Sequence, residues 1–185
     1  MNKTSQALRV AVVGLAGCGK STCAGLVEDF ARDNRRSYQR VKLAKPLYDL
    51  QEAVYGVAGV PLQPGSQDQL LMEALADALR RIRPESIVDD FAWRLGQTSA
   101  DIVINDDLRD PFVDAPRLRQ MGFRVLRVTC QEDIRQQRLA ERGDLTRSDA
   151  STGRLDLIEP DAVIDNSYDL ESCKSAVYKF LREWQ

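Results

Sequence analysis

The chain has 185 residues, of which 43% are hydrophobic and 29% are charged, as expected for one globular domain with a buried core. Its formal net charge of −2 provides no basic field for binding a nucleic-acid polymer, and no apolar run approaches the ~18 residues of a membrane span. The absence of histidine excludes a Ser-His-Asp triad and histidine metal sites.

The four cysteines predict a reducing environment. Cys18, Cys23, Cys130 and Cys173 are dispersed and form no C-x-x-C pair. The first residues also lack the apolar core of a signal peptide. We therefore expect a cytoplasmic protein without a membrane partner.

The chain begins with a strand, a glycine-rich loop and a helix. Residues 8–13 form an apolar, β-branched run, and residues 23–30 repeat apolar side chains at helical spacing. Between them, residues 14–22 read GLAGCGKST and fit the pattern G-x-x-x-x-G-K-[ST]. In this context the motif predicts a phosphate-binding loop, whereas a glycine-rich turn with an incidental lysine is the alternative.

The loop predicts the binding of a nucleoside triphosphate with Mg²⁺. Its backbone N–H groups can turn onto a polyphosphate at the helix N-terminus. Lys20 is expected to contact the β- and γ-phosphates, and the Ser21 hydroxyl is expected to bind Mg²⁺. The predicted cofactor-binding residues are Gly14, Ala16, Gly17, Cys18, Gly19, Lys20, Ser21 and Thr22.

The second predicted strand spans residues 38–44, and a mostly helical segment follows it. Pro46 fits the first turn of a helix, residues 56–65 read as a loop, and residues 67–83 carry an apolar stripe. Pro84 stops that helix and can open another that ends near Gly96. We expect most arginines of this segment to be solvated, and select Lys45 and Arg94 as residues that bind an acceptor phosphate.

Acidic residues follow the next predicted strand, residues 102–104. The carboxyl end of a parallel strand is where an open α/β sheet binds ligands, which makes Asp106 and Asp107 candidates. One of the two aspartates is expected to serve the metal, with Asp106 selected and Asp107 as the alternative, and Asp107 with Arg109 is predicted to contact the acceptor. An Asp-rich turn, or an Asp107–Arg109 salt bridge that only shapes it, is the alternative.

The remainder continues to alternate between helices and strands, which predicts an α/β fold with a parallel sheet flanked by helices. Helices are expected at about 113–121, 134–142 and 170–184, and strands at 123–128 and 162–164. Arg138 and Arg142 lie four residues apart beside a polar loop and are expected to stabilise a transferring phosphoryl group. Arg135 is expected to be solvated.

Four segments together resemble the P-loop nucleoside monophosphate kinases, and most closely those deoxynucleoside monophosphate kinases that bacteriophages encode. They are the phosphate loop, the segment 43–47, the D-x-R segment with its following helix and strand (104–128), and the segment 160–181 with D-x-V-I-x-N. Two features depart from the pattern. A related group often has an acid where Val113 stands, and here Asp114 follows one place on. The Ser-Glu that some relatives have before the last strand appears only as Ser148-Asp149.

The resemblance implies a P-loop NTPase fold with a core at about 8–44 and 100–185. It also implies a helical acceptor-binding insert at 45–99 and a small arginine-bearing lid at 138–156. The expected reaction moves the γ-phosphoryl of ATP to a (deoxy)nucleoside 5′-monophosphate. The partners would be small nucleotides, with a homodimer left open. A kinase of another small metabolite, such as dephospho-coenzyme A, and a nucleotide-binding regulator are the alternatives.

Overall fold

A computed structural model describes residues 7–63, 65–141 and 153–184 of the chain. The described residues contain a five-stranded sheet with the order β2-β3-β1-β4-β5, and all of its pairings are parallel. The strands are β1 (Leu8–Val13), β2 (Tyr38–Arg40), β3 (Ile102–Asn105), β4 (Phe123–Thr129) and β5 (Ala162–Asp165). The predicted α/β fold with a parallel sheet is confirmed.

Helices connect the strands and cover both faces of the sheet. They are α1 (Lys20–Asp33), α2 (Lys45–Ala58), α3 (Gln69–Ile82), α4 (Ser86–Leu95), α5 (Asp114–Gln120), α6 (Glu132–Ala140) and α7 (Leu170–Glu183), with a 3-10 turn at Leu155–Leu157. None of the helices in the described part of the chain combines the length and apolar character needed to cross a membrane.

Two predicted boundaries were wrong, and the structure shows the reason for each. The second strand ends at Arg40 rather than at residue 44, because the backbone N–H groups of Leu43 and Ala44 bond to the Asp107 carboxylate and leave the sheet. The helix α2 continues past the expected loop start to Ala58. Gly59 then ends it in the left-handed conformation (φ 69°) that favours glycine.

Alternate residues of β1 face opposite sides of the sheet, and both sides are buried. Val10 and Val12 pack with α1 and α7 in one cluster, whereas Ala11 and Val13 pack with α4 and α5 in the other. A strand buried on both faces reads as a continuous apolar run, which is why residues 10–13 are all apolar.

The sheet places two loops side by side. Ala11 of β1 pairs with Asn105 of β3, so the two parallel strands end at the same edge. Residues 14–22 leave that edge from β1, and Asp106 and Asp107 leave it from β3.

Candidate active site

The loop at residues 14–22 needs glycine for conformation as well as for space, as Gly17 and Gly19 show. Gly17 and Gly19 have φ of 85° and 96°, which other residues rarely adopt. A Cβ on Gly17 would lie 2.8 Å from the Arg135 carbonyl oxygen, and one on Gly19 would lie 2.1 Å from Nδ2 of Asn166. The loop is therefore packed closely between α6 and the residue that follows β5.

The N-terminus of α1 is left open to an anion. Its N-cap, Gly19, supplies no side-chain hydrogen bond, and the first turn carries no acidic residue. The backbone N–H groups and the positive end of the helix dipole can therefore act on a phosphate. The Lys20 ammonium donates to the carbonyl oxygens of Gly14 at 2.8 Å and Leu15 at 3.1 Å, and Ser21 is exposed beside it.

Arg135 is a buried part of the loop's support, so the expectation that it is solvated was wrong. Its Nη1 donates to the Ala16 carbonyl oxygen at 3.2 Å, and its Nε and Nη2 each bond to Glu132 at 2.7 Å. The hydrogen bonds from Arg135 and Gln136 lower the pKa of Glu132 to about 2. The ion pair fixes the guanidinium, which in turn fixes the loop.

Arg138 lies against the same loop through Asn166. Its Nη2 donates to the Asn166 carbonyl oxygen at 3.3 Å, and Asn166 Nδ2 donates to the Cys18 carbonyl oxygen at 2.9 Å. Nη1 of Arg138 is buried and has no hydrogen-bond partner in the part of the chain that the structure describes. It would lie 3.7 Å from a Cβ on Gly19, so this free donor is beside the start of α1. Arg142 and most of the predicted lid lie outside the described residues.

Asp106 is buried at the edge of β3 with one oxygen in use. Its Oδ2 lies 3.3 Å from Nη1 of Arg40, whereas its Oδ1 is buried without a hydrogen-bond partner among the described residues. An unpaired buried carboxylate oxygen is costly unless a ligand satisfies it. Arg40 was not identified from the sequence, since its partner lies 66 positions away.

The Asp107 carboxylate holds the start of α2 in place. It accepts hydrogen bonds from the backbone N–H groups of Leu43 at 2.9 Å and Ala44 at 3.0 Å, and from Asn105 Nδ2 at 2.6 Å. Burial raises its pKa, and these hydrogen bonds oppose the rise. The carboxylate thus joins the end of β3 to the insert and also lines the cavity described next.

A cavity of about 440 Å³ lies between α2, α3 and the segment that follows β3. This volume falls within the ~300–1,000 Å³ of small-molecule sites. Its apolar wall comes from residues of α2, α3 and α4, and its polar lining includes both signs of charge. The charged lining residues are Glu73, Asp77, Arg80, Asp107, Arg109, Asp110, Asp114 and Arg154.

Two of the predicted acceptor residues are not among the residues that line this cavity. Lys45 is exposed and pairs with Asp49 at 2.5 Å. Arg94 pairs with Asp90 at 2.7 Å and donates to the Lys42 carbonyl oxygen at 2.8 Å. The other two predicted residues, Asp107 and Arg109, do line it.

Arg80 and Asp114 form the most buried ion pair of the cavity. Nη2 of Arg80 lies 2.7 Å from Oδ2 of Asp114, and Nη1 lies 3.3 Å from Oδ1, which makes the pair bidentate. Burial raises the pKa of Asp114, and the bonds from Arg80 oppose that rise. Arg80 was expected to be one of the solvated arginines of the insert, and that was wrong.

Comparison with known proteins identifies the fold. No protein-family model matches the sequence, and no curated protein matches it either. Among solved structures, the shikimate kinase from Bacteroides thetaiotaomicron superposes with a TM-score of 0.53 at 14% identity, covering 95% of this chain and 98% of that one. A shikimate kinase from Acinetobacter baumannii, in complex with shikimate, gives 0.52 at 12% identity, covering 97% and 93%. The chain has the fold of the P-loop kinases.

In this P-loop kinase fold, one edge of the sheet carries groups that could bind a polyphosphate and a cation. It presents an open helix N-terminus, the Lys20 ammonium, the free Nη1 of Arg138 and the free Oδ1 of Asp106. The described residues contain no cluster of three or more cysteine or acidic side chains that could hold a metal ion alone. A cation here could complete its coordination with water molecules and phosphate oxygens, as Mg²⁺ commonly does in phosphoryl-transfer sites.

Proposed function

We propose that the protein transfers the γ-phosphoryl group of ATP to a (deoxy)nucleoside 5′-monophosphate and produces the diphosphate. One observation carries the proposal. The cavity that could receive an acceptor is lined by Asp107 and Arg109, which follow β3, while the phosphate loop follows the neighbouring strand β1. Parallel neighbours end at one edge, so donor and acceptor would meet there.

The donor side is assigned to the phosphate loop. The N–H groups at the start of α1 and the Lys20 ammonium would bind the β- and γ-phosphates, with Lys20 leaving the carbonyl oxygens of Gly14 and Leu15. Ser21 and Asp106 would hold Mg²⁺, and the free Oδ1 of Asp106 fits a metal-bound water. The ion would neutralise charge on the phosphate oxygens.

Transfer itself is assigned to positioning and charge stabilisation. Arg138 Nη1 would donate to an oxygen of the transferring group, whose negative charge is spread over its equatorial oxygens. Arg142 would act from the lid in the same way. No general base is required, because the attacking phosphate oxygen of a monophosphate is already ionised.

The acceptor's phosphate is assigned to Arg109 and Arg154, two cationic side chains of the cavity lining. A guanidinium pairs bidentately with a phosphate, whereas an ammonium acts as a point charge. Asp107 would fix the position of the cavity wall that α2 forms, because it anchors the start of that helix. Lys45 and Arg94 remain candidates for the acceptor phosphate only if their present ion pairs open.

The variant Arg109→Lys tests the acceptor assignment. It keeps the positive charge but loses the planar guanidinium that can form two parallel hydrogen bonds with a phosphate. We therefore expect the KM for the monophosphate to rise about tenfold while the KM for ATP stays nearly constant. Steady-state kinetics with each substrate varied in turn measures both constants. Arg117→Lys on α5 is the matched control, because Arg117 pairs with Asp89 and neither residue is among those that line the cavity. Equal changes in both KM values would contradict the assignment.

A further inference from the structure

The cavity contains a carboxylate that the phosphate chemistry leaves unused. Glu73 lies on α3 and lines the cavity, and its Oε1 is buried without a hydrogen-bond partner among the described residues. Leaving such a buried oxygen unpaired destabilises the protein. A ligand that brings a hydrogen-bond donor would remove that cost.

The other buried or anchored carboxylates of the lining already have protein partners. Asp107 accepts from the backbone N–H groups of Leu43 and Ala44, and Asp114 is paired with Arg80. Asp110 accepts from backbone N–H groups at the start of α5. Of the two remaining lining carboxylates, Asp77 is exposed to solvent, whereas Glu73 has a buried oxygen without a hydrogen-bond partner among the described residues.

A donor of complementary character lies on the α2 side of the same cavity. Gln67 Nε2 donates to the Tyr48 hydroxyl oxygen at 2.8 Å, so the Tyr48 proton is available for an acceptor atom of a ligand. Burial raises the pKa of Tyr48, which keeps the phenol protonated. The lining thus offers an acceptor-only carboxylate and a phenol donor.

We infer that Glu73 selects the base of the acceptor nucleotide and that this base is guanine. The inference rests on the proposed function and deepens it. Guanine presents two adjacent donors, N1–H and the exocyclic amino group, which match the two oxygens of a carboxylate. Its O6 is an acceptor beside them and matches the Tyr48 hydroxyl. Thymine and uracil instead place their single N–H between two carbonyl oxygens, which a carboxylate would repel.

The polarity of the cavity agrees with this orientation. Glu73 lies on α3. Arg109 lies in the segment that follows β3, at the edge of the sheet where the phosphate loop also begins. A nucleotide with its phosphate at Arg109 would place its base toward α3. Leu47, Met72 and Ile87 supply apolar surface for the faces of a ring system.

The test compares dGMP with dTMP, dAMP and dCMP as acceptors of the full chain with ATP and Mg²⁺. We expect kcat/KM for dGMP to exceed that for dTMP at least ~10-fold, since a site with an unpaired buried polar group rejects a base that cannot satisfy it. The variant Glu73→Gln should lower kcat/KM for dGMP about 10- to 100-fold and change dTMP less than about threefold. Glu52→Gln, an exposed change of the same chemistry on α2, should alter neither.

Each outcome decides between explanations. A preference for dTMP, dAMP or dCMP over dGMP, or an equal loss with dGMP and dTMP in Glu73→Gln, overturns the inference while leaving the kinase proposal standing. Glu73→Asp keeps the carboxylate and should retain a preference for dGMP, which guards against a folding defect in the amide variant. Phosphorylation of dephospho-coenzyme A or shikimate with no turnover of any monophosphate would instead overturn the proposed function, and the base assignment with it.

Discussion

Replacing Arg138 with glutamine tests whether its free nitrogen acts on the transferring phosphate. In the structure, Nη2 is used by the Asn166 carbonyl oxygen and Nη1 has no described partner, so one donor remains for the substrate. A hydrogen bond to a charged group contributes about 1.5–3 kcal/mol, which corresponds to about a 10- to 150-fold fall in kcat. The KM for ATP should change far less, because the interaction strengthens as charge develops.

The assay is steady-state kinetics with ATP varied at saturating acceptor, accompanied by thermal unfolding. Arg81→Gln, an exposed arginine on α3, provides a control of identical chemistry and should match the wild type. A kcat for Arg138→Gln within about threefold of wild type would refute the reasoning. If the loss of activity is accompanied by a large fall in Tm, Arg138 has only the structural role of holding Asn166 in place.

Three further predictions concern the loop and its support. Lys20→Ala should lower kcat about 10²- to 10³-fold with little change in Tm, measured by kinetics and calorimetry, because the ammonium contacts the loop rather than the core. Gly19→Ala should lower the free energy of unfolding by at least ~1–2 kcal/mol, because Gly19 has a φ of 96°. Gly25→Ala has open space around the added Cβ and should raise that free energy by about 0.5–1 kcal/mol. Denaturant unfolding measures both changes. The pKa of Glu132 is lowered from 4.5 to about 2, so its carboxylate should stabilise the fold fully above pH 4.5. The wild type should therefore have a higher Tm than Glu132→Gln above that pH, and the difference should vanish as the pH falls toward 2.

Each of these predictions has a contrary result. Near wild-type turnover in Lys20→Ala would show that the phosphate loop does not take part in the reaction. Equal stability changes at Gly19 and Gly25 would show that conformation at Gly19 is unimportant. A Tm difference between wild type and Glu132→Gln that stays constant down to pH 2 would mean that the Arg135 ion pair does not set the Glu132 pKa.

The phosphate loop and the sheet could be predicted because their signals are local. A continuous apolar run, a glycine motif and a helical repeat lie within residues 8–30, and each predicts its own structure without reference to distant residues. The strand-end position of Asp106 and Asp107 was also readable, since it requires only that a parallel strand stop before them.

The groups that support the loop could not be predicted in the same way. Arg135 reaches Ala16 across 119 positions, and Asn166 reaches Cys18 across 148. Helical spacing makes Arg135 look like part of a charged surface, and only the packing of α6 against the loop shows that it is buried. For Asn166 a signal was present in the D-x-V-I-x-N segment, which the resemblance included without assigning the asparagine a role.

The role of Asp107 illustrates how one residue can satisfy two patterns. Its place after β3 predicts contact with a ligand, and it does line the cavity. Its hydrogen bonds to Leu43 and Ala44 could not be foreseen, because the second strand was expected to continue through those residues. The carboxylate ends that strand early and starts α2 instead.

Transfer of labelled phosphate tests the central claim most directly. The protein would be incubated with Mg²⁺, ATP labelled at its γ-phosphate, and each deoxynucleoside monophosphate in turn, and the products separated. The account predicts that label appears at the β-position of a deoxynucleoside diphosphate and that Lys20→Ala prevents it. Label recovered only as inorganic phosphate, with every monophosphate unchanged, would contradict the account.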